Sequence, residues 1–197
     1  MRITVLMGGT SSERDVSLAS GLRIAEALRT RGHRVQSVDT AKGPLSELAE
    51  RQLLADGVVK RLPPTPEELA RMRASSLADT AARLPRRGDC DVAFLALHGG
   101  HGEDGTIQAL LDLAGVPYTG SGHLASALAM DKDLSKQLMR ASDVRTADWL
   151  MATPAHASPG TSELRRPHGD TARRALAVVE EIIDKIEALV PGAFTLE

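Results

Sequence analysis

Apolar and polar positions alternate along this chain in a way that predicts strands and helices by turns. Ile3 to Met7 is a short apolar run stopped by Gly8-Gly9, the pattern of a strand covered on both faces. From Ser17 to Arg31, Leu18, Leu22, Ala25 and Leu28 recur at helical spacing, and Gly32 supplies the stop. Val35 to Val38 reads as the next strand. Strand, glycine turn, helix and strand in this order make a βαβ unit, whose two strands are parallel.

Further along, Leu45 to Leu54 and Glu67 to Leu84 read as helices separated by Pro63-Pro64-Thr65-Pro66. The strand Val92 to Leu97 follows, then a helix from Thr106 to Leu113 ended by Gly115, and Val116-Pro117-Tyr118 as a short edge strand. Gly120-Ser121-Gly122 opens a small-residue helix through Met130, and Asp131 to Arg140 continues helically. The expected fold class is α/β: a Rossmann-like parallel sheet of about four strands with flanking helices, plus a C-terminal amphipathic helix. That last helix rests on Ala172, Leu176, Val179, Ile183, Ile186 and Val190, spaced alternately by four and three, with Pro191-Gly192 as its end. Packing on its own domain is the simpler reading of this stripe; a helical seam between two chains is the other. Residues 153–170, rich in Pro, Ala, Ser, Gly and Arg, read as a linker.

Composition narrows the function classes. The 197 residues carry a formal net charge of -2, with basic and acidic residues interspersed, so no basic field for nucleic acid is expected. The one cysteine, Cys90, excludes an internal disulfide framework, and no Cys/His spacing suits structural zinc. The apolar run at the N-terminus is too short for a signal peptide and no later run would span a membrane, so a cytoplasmic protein is expected.

The chemistry concentrates after the strand that ends at Leu97. His98-Gly-Gly-His-Gly-Glu-Asp-Gly105 brings glycine, imidazole and carboxylate to one turn, and in open α/β sheets ligands bind beyond the carboxyl ends of the strands. Taken singly, each residue has a plain alternative. Glu13 suits a solvated or capping group, His98 a structural histidine, and Glu103 and Asp104 suit caps for the helix that follows. Lys132 and Lys136 suit an ordinary charged helix face, His101 an exposed side chain, and Gly8-Gly9 lacks the full dinucleotide fingerprint.

Four ordered motifs give these residues a context. Gly8-Gly-Thr-Ser-Ser-Glu-Arg-Asp-Val-Ser17, His98-Gly-x-x-Gly-Glu-Asp-Gly105-Thr-Ile-Gln108, Pro117-Tyr-Thr-Gly-Ser-Gly122, and Ala129-Met-Asp-Lys132 with Lys136 together resemble the D-alanine:D-alanine ligase family. The resemblance covers roughly residues 1 to 150. It implies a pre-ATP-grasp substrate domain over 1–122 and a helix and strand over 123–152 like the entry to an ATP-binding central domain, before the linker at 153–170 and the helix at 171–190. The activity it implies is ATP-dependent, ADP-forming ligation of two D-alanines for peptidoglycan precursor synthesis, hence a cell-wall and cell-shape role, with ATP and magnesium as cofactors. By resemblance Glu13 would hold the ammonium of the first D-alanine, His98 would lie near its carboxylate, Ser17 would orient Glu13, and Lys132 would reach toward nucleotide phosphates.

The same resemblance carries a reservation about catalysis. The family's second half supplies a Val-Lys-Pro lysine, a phosphate loop, an arginine and magnesium ligands including Asn. This chain has no asparagine and no Val-Lys-Pro, and only Lys185 follows Lys136. The expectation is a truncated, catalytically incomplete part, possessing most of neither the ATP nor the magnesium site and binding neither tightly by itself. Its expected partners are D-alanine and either a second copy or a separate ATP-binding chain. The alternative is a non-catalytic D-amino-acid-binding or dimerisation module derived from that family.

Overall fold

The computed structural model describes residues 1–58, 65, 67–68, 71 and 77–149. The chain divides into two compact units, Met1–Lys132 and Asp133–Glu197. The first contains a four-stranded sheet in the order β3-β2-β1-β4. Its elements are β1 (Arg2–Met7), α1 (Arg14–Thr30), β2 (Arg34–Asp39), β3 (Gly43–Pro44), α2 (Glu47–Asp56), α3 (Leu77–Arg83), β4 (Val92–Leu95), a 3-10 turn (Gly100–Gly102), α4 (Thr106–Ala114) and α5 (His123–Met130). A further helix, α6 (Lys132–Ala141), starts at the last residue of this unit.

The largely apolar run of β1 is explained by cover on both faces. Ile3, Val5 and Met7 join Leu18, Leu22 and Ala25 of α1 in one core, whereas Leu6 packs with Val38, Ala93, Ile107 and Leu111 in the other. Contact between α1 and β1 is close. A Cβ at Gly21 would stand 2.6 Å from Met7 Cβ, so Gly21 lets the helix approach the strand.

β1 pairs in parallel with β2 and β4, as a βαβ crossover requires. The fourth strand differs from the sequence expectation in identity and direction. It is Gly43–Pro44, antiparallel to β2. The reversal is local: Asp39 Oδ1 accepts the Ala41 N–H at 2.9 Å, and Lys42 N–H donates to the Asp39 carbonyl at 3.1 Å, closing a tight turn. Val116–Tyr118, expected to be that strand, makes a single parallel bridge between Tyr118 and Ala93. Pro117 has no N–H to extend the ladder, and Thr119 Oγ1 instead accepts the Leu95 N–H at 3.1 Å.

α1 begins at Arg14, three residues before the expected start at Ser17, because Arg14 N–H already donates to the Ser11 carbonyl and Ser17 N–H to the Glu13 carbonyl. Gly115 ends α4 in the left-handed conformation at φ 65°. In the second unit, Trp149 lies against α6, its indole N–H donating to Asp133 at 2.7 Å with Lys136 and Arg140 over the ring. No helix among the described residues is long and apolar enough to cross a membrane. The expected linker at 153–170 and the amphipathic helix at 171–190 lie outside the described residues, as do residues 69–70 and 72–76 of the expected helix from Glu67 to Leu84, whose later part forms α3 (Leu77–Arg83).

Candidate functional site

The site stands where β1 and β4, adjacent and parallel, release the chain at their carboxyl ends. β1 runs into Gly8-Gly9 and the turn to α1; β4 runs through Ala96 and Leu97 into His98 and the glycine turn. Three serines at the start of α1 and in the turn before it fasten these two loops. Ser17 is fully buried, accepts the Gly8 N–H at 2.9 Å and donates to the Ala96 carbonyl at 2.7 Å. Ser11 Oγ donates to the His98 carbonyl at 2.5 Å and accepts the Glu13 N–H at 3.2 Å. Ser20 Oγ lies 3.2 Å from His98 Nε2.

This scaffold brings Glu13 and His98 together. One ligand atom from each, with one from Glu103, lie within 4.8 Å of one another. Glu13 occupies the N-cap position of α1, yet its side chain makes no capping hydrogen bond, so the carboxylate is left to face the cluster. The close approach of the loops depends on Gly99. Its φ of +70° is a glycine conformation, and a Cβ there would come 3.1 Å from Ser11 Cβ and 3.3 Å from Glu13 Oε2.

Ser17 has a different place from the one expected of it. Both functions of its hydroxyl are engaged with the ends of β1 and β4, and its link to Glu13 is a backbone bond, Ser17 N–H to Glu13 carbonyl at 3.0 Å. It holds the two strands in register and leaves the Glu13 carboxylate to other groups. Lys132 stands at the first residue of α6, exposed, its ammonium donating to the Ala129 carbonyl at 2.7 Å.

Glu103 and Asp104, read from sequence as a pair of helix caps, separate. Asp104 Oδ1 accepts the Thr106 N–H at 2.9 Å and its other oxygen lies 3.2 Å from His101 Nδ1. Burial acts to raise the Asp104 carboxyl, but the hydrogen bonds from Thr106 and His101 outweigh it and hold the group below its ordinary value. Glu103 turns instead toward Glu13 and His98.

Sequence reasoning also missed Arg14 and Asp39, which form a buried ion pair directly beneath the Gly8-Gly9 turn. Arg14 is 6% and Asp39 1% exposed. Both guanidinium ends engage both carboxylate oxygens, and Arg14 also donates to the Gly9 carbonyl at 2.7 Å. A small cavity of about 30 Å³ adjoins this region, lined by Gly9, Thr10, Ser11, Gly99, His101 and Gly102 among others. A signal for Ser20 did exist: it follows Glu13 by seven residues, which puts both on one helix face.

Fold and site together define an α/β domain with a cluster of polar side chains at the carboxyl ends of two parallel strands, where open α/β sheets take their ligands. Residues 2–121 match the family described as D-ala D-ala ligase N-terminus. The chain belongs to that family. It is 38% identical over 167 residues to a D-alanine--D-alanine ligase of Acidovorax ebreus, covering 84% of this chain and 39% of that protein. With the Pediococcus pentosaceus ligase it is 38% identical over 177 residues, covering 81% of this chain and 48% of that one. In three dimensions it resembles the D-alanine-D-alanine ligase of Coxiella burnetii, with a TM-score of 0.55, 26% identity, and coverage of 90% of this chain and 50% of that one. The chain thus spans less than half the length of these curated relatives.

Proposed function

We propose that this chain supplies the first-substrate site of an ATP-dependent ligase that joins two D-alanines for peptidoglycan precursor synthesis. The observation that carries the reading is the convergence of Glu13, His98 and Glu103 at one edge of the sheet. A free amino acid is a zwitterion, and such a site answers both of its charges. Glu13, with Glu103 beside it, receives the ammonium; the His98 ring lies where it can donate to the carboxylate. Charge-assisted hydrogen bonds of this kind are worth about 1.5–3 kcal/mol each.

The reaction has D-alanine's carboxylate activated by phosphoryl transfer from ATP before a second amine attacks it. The role of this chain's residues is to hold the first substrate in place. Lys132 fits a phosphate by charge and exposure, as a compact cation on a flexible stem. Magnesium fits poorly here: the one cluster with ligand-like spacing among the described residues includes an imidazole, whereas magnesium takes oxygen ligands in near-octahedral array. No step is assigned through that ion.

Calorimetric titration with D-alanine tests the reading, using the wild-type chain and Glu13→Gln. Saturable binding weakened about ten- to a hundredfold in the variant is expected, the loss of one charge-assisted hydrogen bond. Equal affinity in the two proteins would remove Glu13 from the site.

A further inference from the structure

The contact between Ser20 and His98 constrains the imidazole more than its length suggests. A serine hydroxyl has one proton to give. Ser20 Oγ donates it back along α1, to the Val16 carbonyl at 2.9 Å with the Ser17 carbonyl at 3.2 Å as a second acceptor. Toward His98 Nε2, 3.2 Å away, the oxygen therefore offers a lone pair. The proton in that contact must come from the ring. We infer that Ser20 is a positioning residue that fixes His98 as its Nε2–H tautomer and anchors the ring to α1.

One further bond makes this anchor effective. The His98 carbonyl is held by Ser11 Oγ, so backbone and ring of this one residue are both fastened to the segment that carries Glu13. Among the described residues, the carboxylates grouped with the ring are Glu13, from the turn into α1, and Glu103, from the turn after β4; the neighbouring His101 is paired with Asp104. Neither carboxylate is hydrogen-bonded to the ring and so neither takes up a ring N–H, which leaves the serine contact to set the tautomer. A consequence follows for the proposed substrate site, on which this part depends. With Nε2–H given to Ser20, a neutral His98 presents only a lone pair at Nδ1, so a hydrogen bond from Nδ1 to a substrate carboxylate requires the ring to take up a proton.

Nitrogen-15 NMR of the full chain at alkaline pH tests the tautomer, with the His98 signals identified by their loss in His98→Gln. A resolved imidazole N–H proton correlated to Nε2 is expected in the wild-type protein, because the hydrogen bond slows its exchange with water. It should vanish in Ser20→Ala and return in Ser20→Thr, whose hydroxyl can make the same bonds to the helix carbonyls. A slowly exchanging proton on Nδ1, no resolved ring proton in the wild type, or a signal that survives in Ser20→Ala would overturn the assignment. D-alanine titration of the same samples reads the consequence separately, with affinity about five- to tenfold weaker in Ser20→Ala. Wild-type protein that fails to bind D-alanine would defeat the proposed function, while the ring proton still decides the role of Ser20.

Discussion

Ser11 Oγ donates to the His98 carbonyl across 2.5 Å, joining the turn that follows β1 to the turn that follows β4. The same oxygen accepts the Glu13 N–H, so one hydroxyl ties together the two residues on which the site is built. Ser11→Ala removes both bonds. Destabilisation of about 1–2 kcal/mol is expected in denaturant titration, accompanied by weaker D-alanine binding, because the loops lose their fixed separation. Unchanged affinity in a stable variant would show that the loops are held apart by other means.

The ion pair of Arg14 and Asp39 presents a larger effect. Arg14→Met leaves a carboxylate that is 1% exposed without its cation, and a loss of roughly 3–5 kcal/mol is expected. Arg14→Met with Asp39→Leu should recover part of that loss, since the second change removes the unpaired charge. Chemical denaturation of the single and double variants gives both values, and an additive double variant would argue against the pairing.

A third expectation concerns pH. Burial acts to raise the Glu50 carboxyl, but hydrogen bonding to Arg29 at 2.6 and 2.9 Å and the positive charge of that group outweigh it, so the folded value lies below the ordinary 4.5. A group lowered on folding adds stability that is complete above its unfolded value and disappears as pH falls through the folded one. Wild-type stability should therefore decline on acidification below about 4.5, and Glu50→Gln should flatten that part of the profile. Thermal melts across the acid range check the difference; parallel profiles would contradict it.

Gly105 and Gly120 provide a matched comparison. Both have positive φ, +89° and +99°, so alanine at either position meets a conformational cost of about 1–2 kcal/mol. Only at Gly105 would a Cβ also meet backbone, 2.4 Å from the His123 carbonyl oxygen, while nothing lies within 4 Å at Gly120. Gly105→Ala should thus lower stability by about 1–3 kcal/mol more than Gly120→Ala, an overpacking cost. Equal melting temperatures would refute the close approach.

What was legible in the sequence follows from what each residue type signals locally. β1, α1 and α4 emerged because their apolar runs or stripes end at glycines, and β2 because a short strand pattern follows the glycine that ends α1. β3 did not, since two residues carry no period and the reversal depends on an Asp39 side chain bonding its own turn. Arg14 and Asp39 gave no local signal, because a buried pair is recognisable only when both halves are seen together. Glu103 shared with Asp104 the look of a helix cap, and only the path of the glycine turn separates the residue that bonds Thr106 from the one that turns to Glu13. Glu13, His98 and Ser17 were found through the order of the motifs, while Ser11 and Ser20, spaced as ordinary turn and helix residues, were not.

We propose that an acidic side chain and an imidazole, brought by two loops to one sheet edge, receive the two charges of D-alanine. A crystal structure of this chain with D-alanine tests it most directly. The ligand's ammonium is expected within hydrogen-bonding distance of the Glu13 carboxylate and its carboxylate on the His98 side. D-alanine bound elsewhere, or with its carboxylate turned to Glu13, would contradict the account.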